Sequence, residues 1–213
     1  KVVGSKLRAW FAVALSLVSC LCLAIPSDDH ARGVLAYQRG DVVAAMSALR
    51  EPARAGYAPS QALLAFILDR SDFSEEAFRL YRDAAAQNDA EGHAGLASLY
   101  FAGRGVAKDE KLALEHFSKA ADLGHAASIE TVANAFLKRQ MGLDADGPDG
   151  AAAVAALTRA AGQDHVASAE ALARAYQSGR YGLGADPAQA ANWQARAVAI
   201  RKKQAAPVAK VSK

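Results

Sequence analysis

The chain has 213 residues, 52% of them hydrophobic and 22% charged, with a formal net charge of +3. That is enough apolar chain for a sizeable core, and it excludes wholesale disorder. The charge is segregated: Lys1, Lys6 and Arg8 stand among the first eight residues and Arg201, Lys202, Lys203, Lys210 and Lys213 among the last thirteen, so residues 9–200 hold 17 basic against 22 acidic groups, about −5, which excludes a general attraction for nucleic acid.

Residues 1–25 are expected to be a signal peptide or membrane anchor, because a basic start is followed at residues 10–25 by sixteen residues without a charge. The run is short for a spanning helix, which takes roughly 20 apolar residues, and suits a signal-peptide core or a short tilted anchor. The cations ahead of it place the body on the far side of the inner membrane, in the periplasm. Three fates are open: cleavage after Ala24, retention as an anchor, or lipidation at Cys20, since Leu17-Val18-Ser19-Cys20 resembles a bacterial lipoprotein box. Both cysteines, Cys20 and Cys22, fall in this segment, so the body has no thiol with which to build a disulfide framework, as suits an oxidising compartment.

Residues 26–30 read as a short polar linker, and a repeat domain is expected over 31–203 in five helix-turn-helix units, at about 31–57, 58–89, 90–125, 126–165 and 166–203. In the first, Gly40 stops a helix and Asp41 caps the next, which runs to Ala55. The unit is short and reads as an N-terminal cap, with Arg32, Arg39, Arg50 and Arg54 on an outer face. In the second, helices over 60–70 and 74–87 are joined by Ser71-Asp72-Phe73-Ser74, which offers N-cap residues ahead of Glu75 and Glu76, carboxylates that suit the helix dipole.

The third unit is a helix, a Gly-rich turn through Gly103 and Gly105, a second helix and a stop at Gly124. In the fourth the turn lengthens to 140–149. Asp144 and Asp146 begin like a calcium loop, but Ala155 stands where the bidentate Glu belongs, so Asp146 reads as a turn residue and Asp149 as an N-cap. The fifth ends in a long helix from Pro187 behind the cap Asp186. Residues 204–213 are small, broken by proline and basic, and are expected to be a flexible tail.

Aligned on the residue that ends each unit (Gly56, Asn88, Gly124, Asp164), the units agree column by column. Eight residues after these markers stand Leu64, Leu96, Val132 and Leu172, and twelve after stand Leu68, Tyr100, Phe136 and Tyr176, a spacing that puts both on one helical face. Nine after are Ala65, Ala97, Ala133 and Ala173, small enough for two helices to approach closely. The second helices carry Leu49, Tyr81, Phe117 and Leu157 seven before the marker, and Ala53, Ala85, Ala121 and Ala161 three before it. A lone helix pair cannot bury such stripes on both sides, so the units must stack.

Residues 90–126 resemble a Sel-1-like repeat, a relative of the tetratricopeptide repeat, through Leu96, Tyr100, Gly103, Gly105, Val106, Asp109, Ala113, Phe117, Lys119, Ala120, Ala121 and Gly124. The fifth unit keeps Gly182, Leu183, Asp186 and Trp193 of the same pattern, while the second lacks the Gly-rich turn and the fourth lengthens it. The resemblance covers roughly residues 31–200. It implies an all-α fold, an α/α superhelix or solenoid, that binds other proteins.

No catalytic chemistry is legible. His125 and His165 occupy the same place after successive helix stops, His93 is on a first helix, His116 is beside a core column, and His30 is in the linker. H-E-x-x-H, G-x-S-x-G and C-x-x-C are absent, and Gly103-Arg104-Gly105 lacks the Lys-Ser/Thr of a phosphate loop. The expectation is a non-enzyme without cofactor or metal: an exported, membrane-tethered scaffold that binds another envelope protein. Its groove is expected on the first helices, where Glu130 and Glu170 stand six after the marker and Asn134 and Arg174 ten after. Ala62, Ala94, Phe66 and Ser98 are their equivalents in earlier units, so the groove grades from apolar to polar. Glu170 and Arg174, four apart, can pair and still meet a ligand, although these residues also suit a plain surface. The rival reading is a non-catalytic accessory subunit of a larger membrane complex, anchored by its N-terminal helix.

Overall fold

The structure, a computed structural model, describes residues 25–205. The leader through residue 24, with its candidate lipidation site Cys20, and tail residues 206–213 lie outside the described residues. Within them the chain forms ten α-helices and no strand: α1 Ile25–Gln38, α2 Val42–Arg54, α3 Ala58–Arg70, α4 Ser74–Ala85, α5 Ala90–Ala102, α6 Glu110–Asp122, α7 Ala126–Lys138, α8 Gly150–Gly162, α9 Val166–Ser178 and α10 Pro187–Ala205. These are five first-helix and second-helix pairs. They divide into two compact units, one ending at Lys108 and the other beginning at Asp109, so α5 belongs to the first and α6 to the second.

The helix ends explain the marker column. Gly56, Asn88, Gly124 and Asp164 all have positive φ, the left-handed conformation that closes a helix. Only glycine takes it freely, and Asn and Asp are the side chains that bear it best, which is why one of the three stands at each marker. Side-chain caps then open the next helix. Asp41 accepts from the Ala44 amide at 2.9 Å, Asp89 from Gly92 at 2.7 Å and Asp109 from Leu112 at 2.9 Å. Asp186 accepts from both Ala188 and Gln189 at the start of α10, with Pro187 in its first turn.

Each unit's core is built from the aligned columns. In the first, Leu49, Ala53, Leu64, Ala65, Leu68, Tyr81, Ala85 and Leu96 are buried together. In the second, Ala121, Val132, Ala133, Phe136, Leu157, Ala161 and Leu172 do the same, with Phe117 packed against them half-exposed. Burying a Val, Leu or Phe side chain contributes about 1.5–3 kcal/mol relative to exposure, so the large columns hold the fold.

Four local expectations are corrected. The linker at 26–30 is helical, lying within the first turns of α1. Pro26 sits where a missing N–H costs nothing, Asp28 is in the first turn, and Asp29 pairs with Arg32 one turn on. The turn at 71–74 forms no side-chain cap: Asp72 takes φ +65°, Phe73 falls at the N-cap position, and Ser74 Oγ donates back to Asp69 Oδ1 at 2.9 Å. Asp149 is at the N-cap of α8 but its carboxylate accepts from the Asp144 amide at 2.9 Å instead of capping. At the C-terminal end α10 extends two residues into the expected tail, to Ala205.

Candidate functional site

The four residues expected to line a groove sit on α7 and α9 of the second unit. Glu130 is exposed, with Oε1 3.9 Å from Nε2 of His165 at the start of α9. Asn134 is half-buried and Arg174 is exposed. Glu170 behaves differently: its carboxylate is held by Arg201 of α10, not by Arg174. The expected pairing within α9 is thereby corrected. An i,i+4 pair is worth only a few tenths of a kcal/mol, whereas α10 delivers a guanidinium to a carboxylate that is only 23% exposed. The same helix contributes Lys203 to Asp164 and the Arg196 guanidinium to the Ala161 carbonyl at 3.2 Å. Lys203 holds the Asp164 carboxyl below its usual range. Glu170 is thus engaged with α10, while Glu130 and Arg174 are exposed and Asn134 is half-buried.

The histidines are placed by the helix starts. His125 Nδ1 accepts from the Ser128 amide at 3.2 Å and lies 2.7 Å from Ser128 Oγ; His165 Nδ1 lies 2.7 Å from Ser168 Oγ. In the first unit His30 of α1 meets Ser60 Oγ of α3 at 2.9 Å and stacks edge-on against Tyr57, and burial lowers its pKa. A histidine beside a serine is a nucleophile and base arrangement only where substrate can enter. Ser60, Ser128 and Ser168 are each 1% exposed or less, so none of these hydroxyls is open to solvent. This column, four after the marker, was missed in the sequence, yet its signal was there: Ser60, Gly92, Ser128 and Ser168 are all small.

The acidic turn of the fourth repeat is occupied by cations from the chain itself. Asp146 accepts from Arg180 Nε at 2.9 Å and Nη2 at 2.6 Å, and also from Arg139, so it clasps the turn after α7 to the turn after α9. The Arg180 guanidinium, with Arg139 second, holds its carboxyl below the ordinary range. Among the described residues no three His, Cys, Asp or Glu side chains gather as metal ligands.

Paired helices with a shared column pattern and open first-helix faces define a helical-repeat protein. Three of the pairs, the second, third and fifth, are Sel1 repeats: the Sel1 repeat family model matches residues 60–89, 90–125 and 166–198. Sel1 repeats are generally a protein-interaction fold. A crystal structure of a Sel1 repeat protein from Oxalobacter formigenes superimposes with a TM-score of 0.58 at 23% identity, over 82% of this chain and 70% of that one. A protective antigen of uropathogenic Escherichia coli displaying an SLR fold gives 0.61 at 22% identity, over 85% of this chain and 39% of that one. A protein of Neisseria meningitidis serogroup B is 36% identical over 81 residues, 38% of this chain but only 17% of that protein's length. These likenesses establish the fold.

Proposed function

We propose that this chain is an exported, membrane-tethered scaffold that binds another protein of the bacterial envelope through the first-helix faces of its repeats, with no catalytic step and no cofactor. The observation that carries the reading is the exposure of Glu130 and Arg174 while their neighbours in the sequence, such as Ile129 and Ala173, are buried. The helices are held from one side only, and the other side presents side chains that differ from repeat to repeat over a constant frame. The export and tethering parts rest on the basic and apolar run of residues 1–25. Among the described residues no helix is long and apolar enough to cross a membrane.

Recovery of envelope proteins on the full chain, compared with a Glu130→Ala, Asn134→Ala, Arg174→Ala triple variant, tests the face directly. Loss of at least one protein partner with an unchanged thermal transition is expected. Unchanged recovery of every partner would remove the second unit's first-helix face from the account. Glu170 is left out of the variant because its loss frees Arg201 and loosens α10. Intact mass of the native protein settles the tether: a chain beginning at a lipidated Cys20 or retaining residues 10–25 supports it, and one beginning at Ile25 removes it.

A further inference from the structure

Glu130 and Glu170 stand at the same place in successive repeats, six after the marker, and each meets a basic side chain of the chain itself. For Glu170 it is Arg201, and a guanidinium keeps its charge at every physiological pH. For Glu130 it is His165, and histidine is the side chain that gains and loses its charge between about pH 5 and 8. The first carboxylate is held permanently and is only 23% exposed, whereas the second is 62% exposed on the face read above as a binding surface.

The imidazole of His165 is only 20% exposed, and its Nδ1 lies 2.7 Å from the hydroxyl of Ser168, which is fully buried. A hydroxyl donates or accepts, so Ser168 holds Nδ1 in either protonation state and the ring keeps its orientation. That leaves Nε2 3.9 Å from Glu130 Oε1, from α9 to α7, longer than a hydrogen bond and within reach of an ion pair once the ring is charged. The other charged groups of the surrounding helices are engaged, distant or, like Lys202, exposed to solvent. Asp164, next to His165, pairs with Lys203 of α10; Arg159 of α8 pairs with Asp122; and Arg196 of α10 donates to the Ala161 carbonyl at 3.2 Å. His125, at the start of α7, accepts from the Ser128 amide. Lys138 lies eight residues beyond Glu130 and Arg174 nine beyond His165. Those are about 12 and 13 Å along their helices, farther than the screening length of about 8 Å at physiological salt.

We propose that His165 is a proton-operated gate on the first-helix face of the second unit. Neutral, it leaves Glu130 to a lysine or arginine of the partner; protonated, it takes Glu130 as Arg201 takes Glu170. Binding through Glu130 is then strongest above the histidine range and weakens as the pH falls through it, by up to about fivefold, the scale of an exposed ion pair. The proposal rests on the reading of this face as a binding surface and adds its regulation.

The test is an NMR titration of the full chain between about pH 8 and about pH 5, following the side-chain carboxyl carbons of glutamate and the ring carbons of histidine. Glu130 is expected to show an inflection at the midpoint of His165, while Glu170 shows none in this range. His165→Asn, which keeps a favourable residue at the start of α9, is expected to remove the Glu130 inflection. Glu130→Gln is expected to lower the His165 midpoint by a few tenths of a pH unit. Absence of the Glu130 inflection, its survival in His165→Asn, or an unmoved His165 midpoint overturns the proposal. These readings need no partner, so they stand or fall apart from the triple variant that tests the face. For an envelope protein that the triple variant loses, recovery on the parent chain is expected to be lower at about pH 5.5 than at about pH 7.5, and His165→Asn is expected to narrow that difference. Equal recovery at both pH values overturns the gate.

Discussion

Gly95 shows how far a single residue's role can run against its own propensity. It lies inside α5, where replacing Gly by Ala ordinarily stabilises a helix by about 1 kcal/mol. Here an added Cβ would fall 2.2 Å from Cε1 of Tyr81. Tyr81 is 5% exposed and sits in the first unit's core; burial, and after it the Asp69 and Glu91 carboxylates, push its phenol well above the ordinary tyrosine range. Displacing such a ring is overpacking, at about 1–3 kcal/mol, so packing outweighs propensity. Gly95→Ala is expected to lower the denaturant midpoint; a raised midpoint would contradict this packing. In the sequence Gly95 carried no signal, because the ring that fills its place comes from α4. The core columns were legible for the opposite reason: Leu64, Leu96, Val132 and Leu172 repeat at fixed offsets, and all four are buried.

At the scale of the element, the helix starts show which local rules the tertiary structure keeps. Asp41 and Asp186 cap as their positions predict. α4 does not receive the cap that Ser71 and Asp72 offered, and Phe73, 59% exposed, stands at its N-cap position. Phe73→Ser is therefore expected to stabilise the first unit by about 1 kcal/mol, the usual worth of an N-cap, read as a rise in thermal midpoint; a fall would show that Phe73 packs against something its exposure conceals.

The clasp at Asp146 makes a pH-dependent prediction. Its folded carboxyl titrates below its unfolded value, so its contribution is complete above the ordinary carboxylate pKa of about 4 and is lost as pH falls through the folded value. Asp146→Asn should speed amide exchange at residues 139–149 and 179–186 at about pH 6, and the difference from the parent should shrink toward about pH 3. An undiminished difference would mean the clasp is not ionic. Neither this clasp nor the Glu170–Arg201 pair was legible: the clasp joins the turns of two repeats and the pair joins the two helices of the fifth, and the periodicity encodes neither the turn length nor the helix length that brings these side chains together. The α1 boundary was misread because Pro26 and Asp28 suit a linker and a first helical turn equally.

At the scale of the whole molecule, the repeat class was legible because the third unit carries nearly the full pattern, and the family model matches it together with its second and fifth counterparts. The partner was not, because the frame residues that reveal the repeat are the buried ones, and recognition belongs to the exposed side chains between them. Those exposed residues, with a body at about −5 between basic ends, support a protein partner and association that needs no nucleic acid, metal or nucleotide. The central claim is tested most directly by cross-linking the full chain in intact cells, followed by mass spectrometry of the recovered material. The account predicts an enriched envelope protein whose recovery survives both chelator and nuclease. Recovery of an anionic polysaccharide or a nucleic acid, with no protein enriched, would contradict it.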